Sequence, residues 1–357
     1  MNNKTKNILF ICGSLNQTTM MHKISRYLNN EYNCYFTPYY ATGLIGAISK
    51  TSLLDFSVLG GQFRKKTLDY LKQNNLQIDI EGKNNNYDLI FTCSDLIIPS
   101  NIKNKSVILV QEGMTDPENF MFHIVKALKL PRWMASTSTT GLSDNYDLFC
   151  VASEGYKQLF IQKGVKPEKI LVTGIPNFDN CRVFLKNSFP HKNFVLAATS
   201  DTRETYKFEN RKNFIRNVQK IANGRKIIFK LHPNEDAERN TAEIKSIIPD
   251  AIVYRSGKVE EMIANCDVLI TRYSSVVYVG LALNKEVYSA FDINKLRKLM
   301  PIQNDGESAF NIASAARQLI ERENINAVLA YNYKSYIKSK FISAYQYLKK
   351  SITVKLS

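Results

Sequence analysis

The sequence predicts an α/β protein built from two doubly wound, Rossmann-like domains, and three observations support this prediction. The chain has 357 residues, more than one ordinary core accommodates, since domains average about 150 residues. Hydrophobic residues make up 44% of the chain and charged residues 22%, as in folded globular proteins. Short apolar runs alternate with stretches of helical periodicity, and such runs form buried strands of parallel sheets covered by helices.

The predicted strands fall into two series. The first comprises residues 7–12, 87–92, 106–110, 147–151 and 170–173; the second comprises residues 193–198, 226–231, 251–254, 267–270 and 286–289. Two series imply two sheets, so we expect an N-terminal domain over residues 1–185, a C-terminal domain over 186–330, and a cleft between them. The boundary is expected within 177–193, which lacks sustained periodicity and carries Pro190 before the next strand.

The last segment of the chain is strongly basic. After Tyr331 it has six lysines and no acidic residue, and its apolar residues fall on one helical face: Tyr333, Ile337, Phe341, Ala344 and Leu348. We expect a basic amphipathic helix over 331–357 that packs back on the N-terminal domain, and such a helix also suits an anionic membrane surface.

Charge and cysteine content narrow the choice of partners. The net charge of +16 favours anionic partners such as nucleic acid, anionic lipid or phosphorylated substrates, although a merely lysine-rich composition would give the same value. The chain lacks a recognisable nucleic-acid-binding module, so nucleic acid is not expected. Six cysteines form no C-x-x-C pair, which favours reduced core residues in the cytoplasm and predicts no metal site. No run approaches the ~20 apolar residues of a membrane span.

Polar groups follow several predicted strands, at the edge where parallel sheets bind ligands. Ser274 and Ser275 come after strand 267–270 and are expected to cap the next helix while offering hydroxyls and N–H groups to a phosphate. The alternative is a plain helix cap. His232 and Pro233 end strand 226–231, and a histidine fixed there suits a phosphate oxygen.

The N-terminal domain carries acidic strand ends. Glu112 and Gly113 follow strand 106–110, and a carboxylate beside an opening glycine suits a general base, although a turn cap is the alternative. Asp95 supplies a second acid in the same region, and Gly13 with Ser14 suits an acceptor or a phosphate.

Together these stretches resemble the GT-B glycosyltransferase superfamily over most of the chain. The resemblance rests on "ILFICGSLNQTTMMHKISRYL", "YDLIFTCSD", "VILVQEG", "VTGIPNFD", "KLHPNE" and "CDVLITRYSSVVYVGLALNKEV". In the similar bacterial sialyl-, polysialyl- and Kdo transferases, an acid–glycine pair supplies the base, a His-Pro pair meets the nucleotide and a Ser/Thr pair meets the phosphate. The similar CDP-glycerol transferases share the His-Pro motif and a "YSS" motif like Tyr273–Ser275.

The resemblance assigns roles to individual residues. It implies catalysis by Glu112 and His232, and an acceptor side that includes Gly13, Ser14, Asp95 and Gly113. On the donor side it implies a set of seven residues: Gly174, Arg203, His232, Pro233, Tyr273, Ser274 and Ser275. UDP-N-acetylglucosamine 2-epimerases are more distant, because the His-Arg-Arg-Glu motif with their catalytic histidine falls near Asp201-Thr202-Arg203-Glu204 here and the histidine is missing.

The resemblance therefore implies an inverting glycosyltransferase that needs neither metal nor cofactor. It would move a sugar from a CMP-, CDP- or UDP-linked donor to a cell-envelope polysaccharide or glycolipid, in the cytoplasm or peripherally at the inner face of the membrane. Alternatives are a polyol-phosphate transferase of the CDP-glycerol type, an epimerase-like enzyme and a nucleotide-sugar binding protein.

Overall fold

The computed structural model describes residues 5–43, 46, 59–200, 202, 203 and 209–321. Two parallel sheets organise this part of the chain. The first has the order β3-β2-β1-β4-β5-β6-β7 and the second the order β10-β9-β8-β11-β12. Their strands are β1 Asn7–Cys12, β2 Asn33–Pro38, β3 Gln77–Ile78, β4 Leu89–Thr92, β5 Ser106–Val110, β6 Leu148–Val151, β7 Ile170–Val172, β8 Val195–Ala198, β9 Ile227–Lys230, β10 Ile252–Tyr254, β11 Val268–Ile270 and β12 Glu286–Tyr288.

The predicted α/β class with two doubly wound sheets is confirmed. Every strand pair in both sheets is parallel, and the first sheet shows the 3-2-1-4-5-6 order of a dinucleotide-binding domain with a seventh strand added. All ten predicted strands are present, most of them trimmed by one or two residues. In parallel sheets of this order the carboxyl ends of the central strands share one edge, so the loops after β1, β4 and β5 lie together, as do those after β8, β9 and β11.

Two strands were not predicted. β2 begins with the polar and half-buried residues Asn33 and Cys34 and ends at Pro38, so its sequence lacks an uninterrupted apolar run. β3 has only two residues and lies at the sheet edge beside β2. Neither has the apolar length that marks a buried strand.

Ten α-helices connect these strands in the described part of the chain. They are α1 Leu15–Ser25, α2 Gly61–Gln73, α3 Phe120–Leu128, α4 Glu154–Lys163, α5 Arg211–Ala222, α6 Ala237–Ile247, α7 Val259–Asn265, α8 Val277–Ala282, α9 Ile293–Leu299 and α10 Ser308–Ile320. Six of them begin after a side chain that accepts a backbone N–H of the first turn: Ser14, Asn119, Ser153, Asn210, Asp236 and Asp292.

The chain returns to the first domain after β12. Helix α9 packs on α4, and Ser153 donates a hydrogen bond to the Leu299 carbonyl over 3.0 Å. Helix α10 packs on α1, where Arg317 pairs with Glu31 at 2.8 Å. Residues 293–321, which the sequence placed in the second domain, therefore pack on the first. The predicted helix over 331–357 lies outside the described residues.

The two domains share one hydrophobic core beside the cleft. The largest buried cluster joins residues of the first sheet to Phe194, Leu196 and Ile228 of the second. Tyr156 of α4 and Tyr278 of α8 are both buried, and their hydroxyls lie 2.7 Å apart across the domain contact. Among the described residues, no helix combines the length and apolar content that a membrane span requires.

Candidate active site

A cavity of about 320 Å³ lies between the domains at the carboxyl ends of their strands. The first domain contributes Asn16, Glu112 and Gly113 to its wall, and the second contributes His232, Ser274 and Ser275. The three motifs that the sequence selected independently therefore meet in one space. None of the described residues that line it is a lysine or an arginine.

Glu112 is held by two side chains from the start of α1. The Ser14 hydroxyl donates to Oε1 over 2.7 Å, and the Gln17 amide donates to Oε2 over 2.6 Å. Gln17 folds back because its own Oε1 accepts the Gly13 N–H at 3.0 Å, and a Cβ at Gly13 would lie 2.2 Å from that oxygen. Gly13 and Ser14 thus position the carboxylate rather than line the cavity themselves. Gln17 was not predicted, although Ser14-x-x-Gln17 matches the helix capping-box spacing.

The backbone around Glu112 is fixed by a buried neighbour. The Gln111 amide donates to the Gly113 carbonyl over 2.7 Å and accepts the Ala152 N–H over 2.9 Å. A Cβ at Gly113 would lie 3.6 Å from the Ser275 Cβ, so the two loops approach each other across the cleft. The glycine therefore leaves room for the second domain beside the carboxylate.

His232 is fixed by the loop that follows β9. Its backbone N–H donates to Glu235 Oε2 at 2.7 Å and to Thr199 Oγ1 at 3.1 Å. The ring Nδ1 accepts the Asn234 N–H at 3.3 Å, which leaves the proton of a neutral ring on Nε2. Pro233 ends the strand as expected, but it is exposed and does not line the cavity.

Ser274 and Ser275 line the cavity, but they do not cap the next helix with their side chains. The cap residue of α8 is Val276, whose side chain cannot accept a hydrogen bond, and the helix spans only Val277–Ala282. The serine carbonyls instead accept the N–H groups of Val277 and Tyr278, at 3.3 and 3.0 Å. Tyr273 lines the same cavity beside them.

Two predicted site residues serve the scaffold of the first domain. The buried Asp95 carboxylate accepts the backbone N–H groups of Gly141 and Ser143, each at 3.0 Å, and does not line the cavity. Gly174 has a positive φ of 77°, and a Cβ there would lie 2.2 Å from Ser308 Oγ, so this glycine permits close packing of α10.

Arg203 also lies away from the cavity wall. Its guanidinium pairs with Glu243 at 3.0 Å and donates to Asn240 at 2.6 Å, both on α6. This arrangement ties its loop to the helix and does not direct the arginine toward a donor.

The cavity also contains polar residues that the sequence did not mark. Asp116 accepts a hydrogen bond from Thr137 over 2.8 Å, and both line the wall near Glu112. Cys93 lies there too, and burial, together with the charge of Glu112, raises the pKa of its thiol well above the ordinary range. This thiol stays protonated at neutral pH. Within the described ranges, no group of three or more His, Cys, Asp or Glu side chains is arranged to hold a metal ion.

Comparison with solved structures supports the fold. An enzyme assigned as UDP-N-acetylglucosamine 2-epimerase from Listeria monocytogenes matches with a TM-score of 0.57 and 12% identity, over 90% of this chain and 98% of that one. The UDP-GlcNAc 2-epimerase from Neisseria meningitidis, bound to UDP-GlcNAc, matches with a TM-score of 0.52 and 12% identity, over 93% of this chain and 100% of that one. The wall teichoic acid polymerase TagF matches with a TM-score of 0.48 and 12% identity, over 89% of this chain and 90% of that one. No curated protein sequence matches significantly.

A family model assigns the chain to a family, whereas the structural similarities support the fold alone. The model described as CDP-glycerol:poly(glycerophosphate) glycerophosphotransferase matches residues 100–298, which is more than half of the chain. The matched segment begins before Glu112 and includes His232 and Tyr273–Ser275, so it covers the cavity walls from both domains. The fold is therefore GT-B, the protein is a transferase with a nucleotide-linked donor, and the chain belongs to the CDP-glycerol:poly(glycerophosphate) glycerophosphotransferase family.

Proposed function

We propose that this protein transfers a polyol phosphate, of the glycerol phosphate type, from a CDP-linked donor to a hydroxyl group of a cell-envelope polymer. One observation carries the proposal: an anchored carboxylate, Glu112, shares a cavity with His232 and the Ser274–Ser275 loop. The family match supports a CDP-linked donor in the same cavity. Metal-independent transfer is part of the proposal, and activity that survives EDTA treatment is the expected result.

In this reaction an acceptor hydroxyl attacks the β-phosphorus of the donor. A new phosphorus–oxygen bond forms to the acceptor, and the bond from the β-phosphorus to the bridging oxygen breaks, so that CMP leaves. Glu112 accepts the hydroxyl proton, because its carboxylate is held in the cavity by neutral donors that leave its charge in place.

The second domain holds the donor diphosphate. The Nε2–H of His232 donates to a phosphate oxygen and stabilises the charge that develops on the departing CMP. The Ser274 and Ser275 hydroxyls supply further donors on the same wall. The described residues of the wall include no lysine or arginine, so within this part of the chain these neutral donors bind the phosphates.

The sequence predicts sugar transfer and leaves polyol-phosphate transfer as an alternative. The two reactions differ in the atom attacked, which is phosphorus in one and the anomeric carbon in the other, and the same base and phosphate loop serve both. The family match supports attack at phosphorus. An epimerase is disfavoured because Thr202 and Arg203 stand where that family's histidine falls, and Arg203 is engaged with α6.

We further propose that the enzyme works at an anionic membrane surface, where a lipid-anchored acceptor would be presented. Helix α3 and the 3-10 segment Arg132–Thr139 pack together and expose large apolar side chains: Phe120 80%, Leu128 67%, Trp133 48% and Met134 42%. The exposed Lys126 and Lys129 lie on the same helix end. We call this surface the α3 face. Apolar groups flanked by lysines suit the interface of an anionic bilayer.

The test of the proposed reaction follows CMP release from CDP-glycerol in the presence of a short polyol-phosphate acceptor. Glu112→Gln keeps the size of the side chain and its contacts to Ser14 while it removes the base, so we expect kcat to fall about 10²- to 10⁴-fold. CDP affinity, measured by titration calorimetry, should stay within about twofold, because the donor sits on the other wall. His232→Ala should instead weaken CDP binding.

The matched control is Glu154→Gln on α4, a carboxylate that contacts only Gln158 among the described residues and lies outside the cavity. It should leave kcat and CDP affinity unchanged. Unchanged turnover in Glu112→Gln would exclude this residue as the base. Binding of UDP in preference to CDP would refute the CDP-linked donor and favour a UDP-sugar transferase.

A further inference from the structure

Four charged side chains form a buried chain beneath the second wall of the cavity. Arg211 pairs with Glu209 at 2.9 Å and also with Glu235, and Glu209 in turn pairs with Arg272 at 3.5 Å. The side chains of Glu209, Arg211 and Glu235 are 1%, 2% and 0% exposed, whereas that of Arg272 is 28% exposed. We call this sequence of contacts, Arg272–Glu209–Arg211–Glu235, the ion-pair chain.

One end of the ion-pair chain contacts the loop after β9, which contains His232 and which we call the His232 loop. Glu235 Oε2 accepts the His232 backbone N–H at 2.7 Å and the Thr199 hydroxyl, while Oε1 accepts the Arg211 guanidinium. This single carboxylate therefore determines where the loop after β9 lies relative to β8.

The other end of the ion-pair chain contacts the loop of Tyr273, Ser274 and Ser275, which we call the serine loop. Arg272 directly precedes Tyr273, Ser274 and Ser275, and its guanidinium lies 5.6 Å from the centre of the Tyr273 ring. Its backbone carbonyl accepts the Ser289 hydroxyl at 3.0 Å, which ties the same loop to the end of β12. The ion pair with Glu209 thus fixes the start of the loop that lines the cavity.

Sheet order explains why these two loops need a link. Strand β8 lies between β9 and β11, so the His232 loop and the serine loop are not direct neighbours. Arg211, at the start of α5, fills the gap and also donates to the Ser200 carbonyl at 3.2 Å. Buried charges are stable only when each is paired. Each carboxylate of the ion-pair chain forms an ion pair with a guanidinium group, and Arg203 lies 4.0 Å from Glu209. Glu209 Oε2 and the Nε and Nη1 atoms of Arg211 are buried and make no hydrogen bond within the described residues.

We propose that the ion-pair chain is a positioning network that couples the two loops, so that displacement of one loop displaces the other. Glu235 and Arg272 are positioning residues in this scheme, since neither lines the cavity. The consequence for donor binding rests on the proposed function, whereas the coupling of the loops does not.

The decisive test is amide hydrogen exchange on the full chain, which needs no substrate. In Arg272→Leu we expect exchange at the His232 amide to accelerate about tenfold, although no described contact joins Arg272 to that loop. Glu235→Gln should likewise accelerate exchange at Val277 and Tyr278, behind the serine loop. Arg272→Lys, which retains the charge, should keep most of the protection. If Arg272→Leu does not fold, exchange at Val277 and Tyr278 in Glu235→Gln decides the coupling, and unchanged protection there would refute it.

The control is Lys258→Ala, which removes an exposed ion pair with Glu261 in the same domain and should leave both loops unchanged. Protection at His232 that is unchanged in Arg272→Leu would refute the coupling. CDP titration adds the functional reading: the losses of affinity in Arg272→Leu and Glu235→Gln should be non-additive in the double variant. If the unaltered protein binds no CDP, the proposed function fails, and the exchange result still decides the coupling.

Discussion

At the scale of single residues, the position of Glu112 depends on neutral partners. Ser14, the cap residue of α1, and Gln17, in its first turn, each donate to one carboxylate oxygen. Both donors are uncharged, and they fix the two oxygens relative to the cavity. The side chain is thus anchored at two points.

Gln17→Leu tests this arrangement. It removes the amide that donates to Oε2 and frees the carboxylate to rotate about its remaining contact with Ser14, so we expect kcat for CMP release to fall about 10- to 100-fold. CDP affinity should be unchanged. Thr19→Val, a half-buried position of the same helix that does not contact Glu112 and whose hydroxyl donates to the Asn16 carbonyl, is the control and should behave like the unaltered protein. A weaker affinity for CDP with normal kcat would contradict the assigned role.

The sequence identified Glu112, His232, Ser274 and Ser275 because each follows a strand whose carboxyl end faces the cleft. The same reasoning selected Asp95, which follows β4, yet its carboxylate is consumed by the N–H groups of Gly141 and Ser143. A sequence predicts which residues follow a strand. It does not predict which groups hydrogen-bond to a carboxylate there, because those groups lie on loops that are distant in the chain. Gln17 was missed for the same reason.

At the scale of elements, helices α4 and α8 join the two domains through one pair of tyrosines. The hydroxyls of Tyr156 and Tyr278 lie 2.7 Å apart, and burial raises the pKa of Tyr278 to about 12. Both rings are buried, so a hydroxyl that loses its partner has no access to water. The contact between the two hydroxyls lies at the N-terminal end of α8, directly after the serine loop.

Tyr156→Phe, Tyr278→Phe and the double variant measure how much the hydrogen bond between the two hydroxyls contributes to stability. Each single variant removes this buried hydrogen bond from the other hydroxyl and should lower the free energy of unfolding in urea by about 1–2 kcal/mol. The loss should be smaller in Tyr278→Phe, because the Tyr156 hydroxyl keeps a backbone contact with Thr115. The double variant removes both polar groups, so its loss should be smaller than the sum of the two. Tyr288→Phe, which removes only an exposed contact with Glu286, should stay within about 0.5 kcal/mol of the unaltered protein. Strict additivity would show that the two hydroxyls do not interact.

The sequence largely predicted which segments are strands and which are helices. It did not predict which domain the last two described helices, α9 and α10, pack against. Apolar runs marked the central strands β8, β9 and β11 of the second sheet, because their residues are buried on both faces. The edge strands β10 and β12 are only partly buried or exposed. Helices α9 and α10 follow that sheet in the chain but pack on α4 and α1 of the first domain. Local periodicity gives a helix its buried face and does not identify the element that covers that face.

At the scale of the whole molecule, charge and function occupy different surfaces. The chain carries a net charge of +16, yet none of the described residues that line the cavity is a lysine or an arginine. In the proposed membrane association, this excess positive charge would attract an anionic surface from outside the described cavity wall. The cavity residue Thr137 and the exposed Trp133 belong to the same 3-10 segment, so a bilayer bound at the α3 face would lie close to the cavity.

The single tryptophan of the chain makes this docking measurable, because Trp133 lies in the α3 face. On addition of vesicles that contain anionic phosphatidylglycerol, its emission should shift to the blue, and brominated acyl chains should quench it. Neutral phosphatidylcholine vesicles or high salt should reduce both effects. Phe120→Ser combined with Leu128→Ser should weaken partitioning at least about tenfold, because two large apolar groups no longer enter the bilayer. Val183→Ser with Leu185→Ser removes another exposed apolar pair, away from the α3 face, and should change nothing. Vesicle binding with unaltered Trp133 emission would place the contact on another surface and refute docking through the α3 face.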